Sequence, residues 1–196
     1  MRRTSWVILL LTFVFIFSLS TLTFAEDSKN SYFVLKGGIY SPDNDDVKDF
    51  TDEGINLEIA VGTYTTKYFG GELGVGYFQT RFKEGPKVTA KFVPITFNLL
   101  GRYPAGPVDL YGGGGMGAYI SKTEVTIGVN SDSEVDTFYG FQVLLGGKYN
   151  MPNDFFIGIE GKYIWTKTPE QQFFGVTLPD THYDGFIATV NVGTRY

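Results

Sequence analysis

The sequence contains no cysteine, so no disulfide framework, thiolate metal site or thiol nucleophile is available to it. Histidine is nearly absent. His182 is the single one, which leaves acid–base chemistry to that residue or to carboxylates alone. Basic residues are in the minority, 16 Lys and Arg against 21 Asp and Glu, and such a surface disfavours nucleic acid as a partner. After the first 25 residues no apolar run approaches the ~20 residues that a membrane-crossing helix needs. Helical periodicity is missing as well. What the chain does have is 25 Gly, all after Ala25 and about twice the usual density, and 17% aromatic residues.

Residues 1–25 read as a secretion signal. Arg2 and Arg3 supply a positive start, Trp6 to Leu22 an almost wholly apolar run, and Thr23-Phe24-Ala25 a small-x-small cleavage site. The expected division is a signal peptide over 1–25 and one domain over 26–196. Arg2 and Arg3 are the only charges before Glu26, so the domain carries 14 basic and 21 acidic residues.

From Tyr32 onward eight segments alternate with a period of two. They are Phe33 to Tyr40, Ile55 to Tyr64, Phe69 to Thr80, Thr89 to Tyr103, Val108 to Ser121, Thr137 to Tyr149, Phe155 to Lys167 and Gly185 to Tyr196. Most reach the length that a tilted strand needs to cross a bilayer. Connections alternate too. Thr65 to Lys67, Pro104 to Gly106 and Asn150 to Asp154 are short, whereas Ser41 to Glu53, Arg81 to Lys87, Lys122 to Asp136 and Thr168 to Tyr183 are long. An even strand count with alternating short and long connections predicts an eight-stranded antiparallel transmembrane β-barrel, an up-and-down meander in a bacterial outer membrane. Closure would remove the unpaired edges that lipid does not tolerate. Charge agrees. The long connections, with Lys167 included, hold 6 basic and 13 acidic residues and the rest holds 8 of each, so the net negative charge falls on one set of loops.

Strand parity then sorts side chains by face. Inward positions include Lys36, Glu58, Glu72, Asn98, Gln142, Lys148, Glu160, Lys162, Asn191 and Arg195. Lys36, Glu58, Glu72, Lys148, Glu160, Lys162 and Arg195 are the predicted interior polar network, with acids and bases able to neutralise one another. Lys91 is the charged exception on the lipid side, placed where it can snorkel. Phe78, Phe92, Pro94, Leu100 and Ile164 are also inward, and as apolar residues they suit a dry pocket better than a water-filled channel. Lipid-facing aromatics should form two belts. Phe69, Tyr103, Tyr149, Phe155 and Tyr196 would lie at one rim, Tyr77, Tyr139 and Trp165 at the other.

Three motifs are set aside. Gly112, Gly114 and Gly117 match G-x-G-x-x-G, but a strand rather than a helix follows; Gly here instead leaves room for Tyr111 and Tyr119. The acidic run from Asp43 to Glu53 offers oxygen ligands, yet Lys48 stands where a calcium loop needs Gly. Asp180-Thr181-His182 and Asp43-Asn44-Asp45 resemble elements of the omptin proteases, but those enzymes use ten strands and a longer chain. No catalytic, cofactor or metal residue is predicted, and the chain is not expected to be an enzyme.

The segment Val190-Asn191-Val192-Gly193-Thr194-Arg195-Tyr196 resembles the carboxy-terminal assembly signal of outer-membrane barrels, with Gly193 and Tyr196 at its characteristic positions and Tyr in place of the usual Phe. Val93-Pro94-Ile95-Thr96-Phe97-Asn98 and Leu110-Tyr111-Gly112-Gly113-Gly114-Gly115 are similar to strands of the OmpA/OmpX/OmpW-like outer membrane protein β-barrel group. That resemblance implies the barrel and its membrane, with outer-membrane lipid, lipopolysaccharide and the barrel assembly machinery as partners and a monomeric state. It leaves two functions open: a structural or surface-interaction barrel with a mostly plugged polar interior, or an OmpW-like narrow channel or pocket for small molecules, hydrophobic ones included.

Overall fold

Alternating side chains with abundant β-branched and aromatic residues favour strands over helices, and strands are what form. A computed structural model describes residues 30–43, 51–82, 87–127, 130–166, 171–173, 176–178 and 183–196. Eight long strands build the wall: β1 (Ser31–Pro42), β3 (Gly54–Tyr64), β4 (Phe69–Phe82), β5 (Lys87–Ala105), β6 (Val108–Ile127), β7 (Asn130–Asn150), β8 (Phe155–Thr166) and β11 (Gly185–Arg195). Each pairs antiparallel with its neighbours, and β1 pairs with β11 to close the ring. Among the described residues no helix is long and apolar enough to cross a membrane.

The short connections span 65–68, 106–107 and 151–154. Gly106 takes a φ of 66° in the two-residue turn between β5 and β6 and Asp154 a φ of 68° before β8, conformations that Gly and Asp tolerate better than most residues.

The long connections depart from the sequence reading. Lys122 to Asp136 is not a loop but the continuation of β6 and β7, paired from Ser121↔Asp136 to Ile127↔Asn130. Charged and polar residues mark a strand that has left lipid as readily as they mark a loop, and Thr123, Val125, Thr126 and Ile127 supply strand propensity there. Thr51–Asp52 adds a short β2 beside β4. Gln171–Phe173 and Val176–Leu178 form a small hairpin, β9 and β10, within the expected last loop. Residues 1–29, most of the acidic run from Asp43 to Glu53, and both Asp180 and His182 lie outside the described residues.

One ladder is interrupted. Pairing of β4 with β5 stops after Val75↔Ile95 and resumes at Phe78↔Phe92, across the stretch where Pro94 has no amide hydrogen to donate.

Parity divides the wall cleanly. Outward positions stay exposed although apolar: Ile59, Val75, Phe97, Val143, Ile159 and Val190 are 39–68% exposed. A surface like that is stable only against lipid. Phe69, Tyr103, Tyr149, Phe155 and Tyr196 are exposed at the short-turn rim, and Tyr139 and Trp165 at the opposite one.

Candidate functional site

The polar cluster of the interior lies at mid-height, between a mixed group near the short turns and an aromatic layer toward the long connections. It starts from a direct cross-strand pair. Lys36 on β1 stands opposite Glu58 on β3, an arrangement that places opposite charges within reach. Around the barrel, the stagger of the strands brings in two more carboxylates. The Lys36 ammonium lies 3.2 Å from Glu58 Oε1, 2.7 Å from Glu72 Oε1 and 3.0 Å from Glu160 Oε2. Glu58 Oε1 accepts no hydrogen bond, so its contact with Lys36 is coulombic. Lys162 completes the cluster, 2.6 Å from Glu58 Oε2 and 3.8 Å from Glu160 Oε1. All five residues are buried.

Hydrogen-bond donors fill the remaining carboxylate valences, as buried charge requires. Tyr32 Oη donates to Glu72 Oε2 at 2.9 Å and Tyr111 Oη to Glu160 Oε2 at 3.1 Å. Asn191 Nδ2 donates to Tyr111 Oη at 3.2 Å and Thr189 Oγ1 to Asn191 Oδ1 at 2.9 Å. A polar chain continues upward: Asn98 Nδ2 reaches Glu72 Oε1, Gln142 Nε2 donates to Asn98 Oδ1, and Tyr119 Oη donates to Gln142 Oε1.

Five of the seven residues expected in the network, Lys36, Glu58, Glu72, Glu160 and Lys162, therefore converge. The other two do not join them. Lys148 is inward and buried, but its ammonium sits over three rings, 4.6 Å from the centroid of Tyr32, 5.0 Å from Tyr64 and 4.9 Å from Phe156, with Asp109 3.9 Å away. Arg195 is half-buried at the short-turn end. Asp109 and Arg102, absent from the expected set, belong to this lower group. Arg102 packs 4.1 Å above the Tyr64 ring and 3.7 Å from Asp109 Oδ2. Both were within reach of parity, since Asp109 is two residues before inward Tyr111 and Arg102 two after inward Leu100. Charges do not cancel locally. The central cluster holds three carboxylates and two ammonium groups, while cations outnumber Asp109 near the short turns.

Glycine makes space for these tyrosines: Gly117 of the β6 run borders Tyr119, where a Cβ would fall 3.2 Å from Cε2, while the space beside Tyr111 comes from a neighbouring strand. A Cβ on Gly146 of β7 would fall 2.4 Å from Tyr111 Cζ and 2.8 Å from the Ile159 carbonyl oxygen. Gly146→Ala is expected to displace the Tyr111 ring, break its bond to Glu160 and cost about 1–3 kcal/mol. A denaturant midpoint equal to that of the parent barrel would refute the close fit.

The layer toward the long connections is aromatic. Tyr40, Phe78, Phe92, Tyr119, Phe138, Ile164, Tyr183 and Ile187 form one buried cluster. Phe78 stacks on Phe92 at 4.6 Å and Tyr119 on Phe138 at 5.5 Å. Tyr183 enters from the segment before β11, its ring 4.9 Å from Phe92. Tyr40 Oη donates to its carbonyl oxygen at 3.1 Å, and its amide donates to Thr166 Oγ1 at 3.2 Å. Phe78, Phe92 and Ile164 thus pack on one another, whereas Leu100 belongs to a separate lower cluster with Tyr32, Tyr64, Tyr111 and Phe156. A cavity of about 10 Å³ lies between Tyr32, Lys36, Tyr64, Glu72, Tyr111 and Lys148, room for about one water molecule.

Among the described residues no three His, Cys, Asp or Glu side chains are grouped to hold a metal ion.

A lipid-exposed apolar wall, a polar interior and a closed meander of eight strands describe one class of protein, and comparison with known families gives the same answer. Residues 9–195 match the outer membrane protein beta-barrel domain. The chain belongs to that family. Solved structures with the family's barrel share little sequence with it. The outer membrane protein OprG from Pseudomonas aeruginosa superimposes with a TM-score of 0.61 at 17% identity, covering 86% of this chain and 97% of the other. A major outer membrane protein from Thermus thermophilus gives 0.60 at 9%, covering 85% and 98%. Neisserial surface protein A gives 0.57 at 13%, covering 86% and 98%. At such identities the likeness is one of fold. No curated protein matches the sequence. Family membership places the chain in the bacterial outer membrane and leaves its task to be argued from the interior.

Proposed function

We propose that this chain is a structural and surface-interacting barrel of the outer membrane whose lumen is closed, with the short turns in the periplasm and the extended β4 to β7 strands outside. The observation that carries this reading is Lys36 bound by three carboxylates from three other strands. That cluster ties β1, β3, β4 and β8 together across the lumen and fills it at mid-height. The stacked aromatic layer closes it again above. An OmpW-like conduit needs inward apolar residues that border an opening; Phe78, Phe92 and Ile164 instead bury one another. The acidic outer connections would carry the contacts with cations or other cells. Gly193, where a Cβ would meet Phe156 and the Phe33 carbonyl oxygen within 2.4 Å, and exposed Tyr196 would form the signal read by the assembly machinery, and the barrel would act as a monomer.

Planar bilayer recording tests the closed lumen. The purified barrel should insert without steady ionic conductance. Reproducible open steps of the kind that an aqueous channel gives would overturn the reading, because a continuous water path cannot pass two filled layers.

A further inference from the structure

The short-turn end of the lumen holds more positive charge than it pairs. Three cations of inward parity meet there, Arg102 on β5, Lys148 on β7 and Arg195 on β11. Among the described residues, Asp109 on β6 is the carboxylate within reach of Arg102 and Lys148. Neither contact is a hydrogen bond: Arg102 Nη1 stands 3.7 Å and Lys148 Nζ 3.9 Å from Asp109 Oδ2, which accepts none. Arg102 donates from Nε to the Lys67 carbonyl oxygen at 3.1 Å and lays its guanidinium over Tyr64. Arg195 stands opposite Tyr32 in the β1–β11 ladder, the residue whose ring faces the Lys148 ammonium, and its Nε is buried without a hydrogen-bond partner. Arg102 and Arg195 both act on Lys148 as like charges.

Three positive charges against one negative leave this mouth at +2. Such an excess is costly where water is scarce, and here Lys148 and Asp109 are buried and both arginines half-buried. The central cluster offsets it only in part, since its three carboxylates already hold two ammonium groups. What the mouth offers is hydrogen-bond donors. Guanidinium forks match the oxygens of a phosphate in pairs, and an ammonium adds a compact charge. Arg102 and Arg195 stay partly exposed at the short-turn end, so an ion meets them there without entering the closed lumen.

We propose that Arg102, Lys148 and Arg195 form a binding site for a phosphate dianion, free or as a monoester, at the short-turn mouth of the barrel. Charge selects this ligand. A phosphate carrying close to two negative charges at neutral pH balances the mouth, whereas a carboxylate or a phosphodiester, with one, balances half of it. That the site faces the periplasm rests on the orientation proposed above. The site itself depends neither on that orientation nor on a closed lumen.

The test is isothermal titration calorimetry of the purified full barrel in detergent, at neutral pH and fixed ionic strength. Inorganic phosphate is the probe, and glycerophosphoglycerol, a soluble phosphodiester with the headgroup of a phospholipid, is the comparison. The parent barrel is expected to bind phosphate saturably and about tenfold more tightly than the diester. Arg195→Gln should weaken phosphate binding by about tenfold, the order of one charge-assisted hydrogen bond. Asp109→Asn, which removes the competing carboxylate, should tighten it. Absence of saturable phosphate binding by the parent would overturn the proposal, as would an Arg195→Gln barrel that binds like the parent. So would equal binding of the diester, which would make the mouth a site for lipid headgroups. Should Arg195→Gln fail to fold, Asp109→Asn still decides, because unchanged or weaker phosphate binding there contradicts the proposed competition.

Discussion

Lys36→Met is expected to cost the barrel about 3–5 kcal/mol, the range for removing one partner of a buried ion pair. Methionine keeps most of the side-chain length, so the loss would report charge rather than a cavity. In the parent, one ammonium serves three carboxylates at 2.7–3.2 Å. Without it, Lys162 still holds Glu58 at 2.6 Å and approaches Glu160 at 3.8 Å, but Glu72 keeps only the neutral donors Tyr32 and Asn98. Glu72 is thus the group stranded in a dry interior, where an uncompensated charge is most costly. Adding Glu72→Gln to Lys36→Met should therefore restore part of the loss, a coupling that a double-mutant cycle isolates. Urea unfolding in lipid vesicles, followed by heat-shifted electrophoretic mobility, gives both numbers. A loss below about 1 kcal/mol for Lys36→Met would mean that the cluster does not hold the strands together as argued.

Much of this interior is legible from strand parity, and the reason is geometric. A period of two leaves no intermediate faces, so once Ile55, Leu57 and Ile59 are assigned to lipid, Glu58 must point inward, and the same reasoning turns Lys36, Glu72, Glu160 and Lys162 inward. What parity does not encode is height. Lys36 meets Glu160, 124 positions away, only because the strands are staggered around the ring, and no local pattern states that stagger. Lys148 shows the same limit: parity puts it inside with the acids, but its height leaves it among Tyr32, Tyr64 and Phe156. The glycine run of β6 is another case. Its abundance was readable, yet the spaces beside Tyr111 and Tyr32 are made by Gly146 and Gly62 on adjacent strands. Connection boundaries failed for a different reason. Beyond the bilayer nothing forces alternate residues to be apolar, so the outer parts of β6 and β7 look like loop while pairing as strand.

Arginine at position 143 and leucine at position 142 should both harm the barrel, for opposite reasons. Val143 on β7 is 47% exposed, flanked across the strands by Gly114 and Tyr163, two rows from Tyr139 at the outer rim. Val143→Arg puts a charge into the hydrocarbon band, where Arg costs about 2–4 kcal/mol near the midplane. Val143→Leu, which keeps the lipid contact apolar, should be nearly neutral. One residue earlier the preference reverses. Gln142 is 2% exposed, donates to Asn98 Oδ1 and accepts from Tyr119 Oη, so leucine there strands a buried acceptor and weakens the chain that ends at Glu72. The expected cost is about 1–3 kcal/mol for the unsatisfied group. A water-soluble barrel would show the opposite ranking, with the hydrophobic substitution tolerated inside and the charge tolerated outside. Urea midpoints of the three variants in the same vesicles settle it. If Val143→Arg unfolds with the parent while Val143→Leu does not, the inside–outside register of β7 is wrong, and with it the lipid-facing assignment that the whole wall shares.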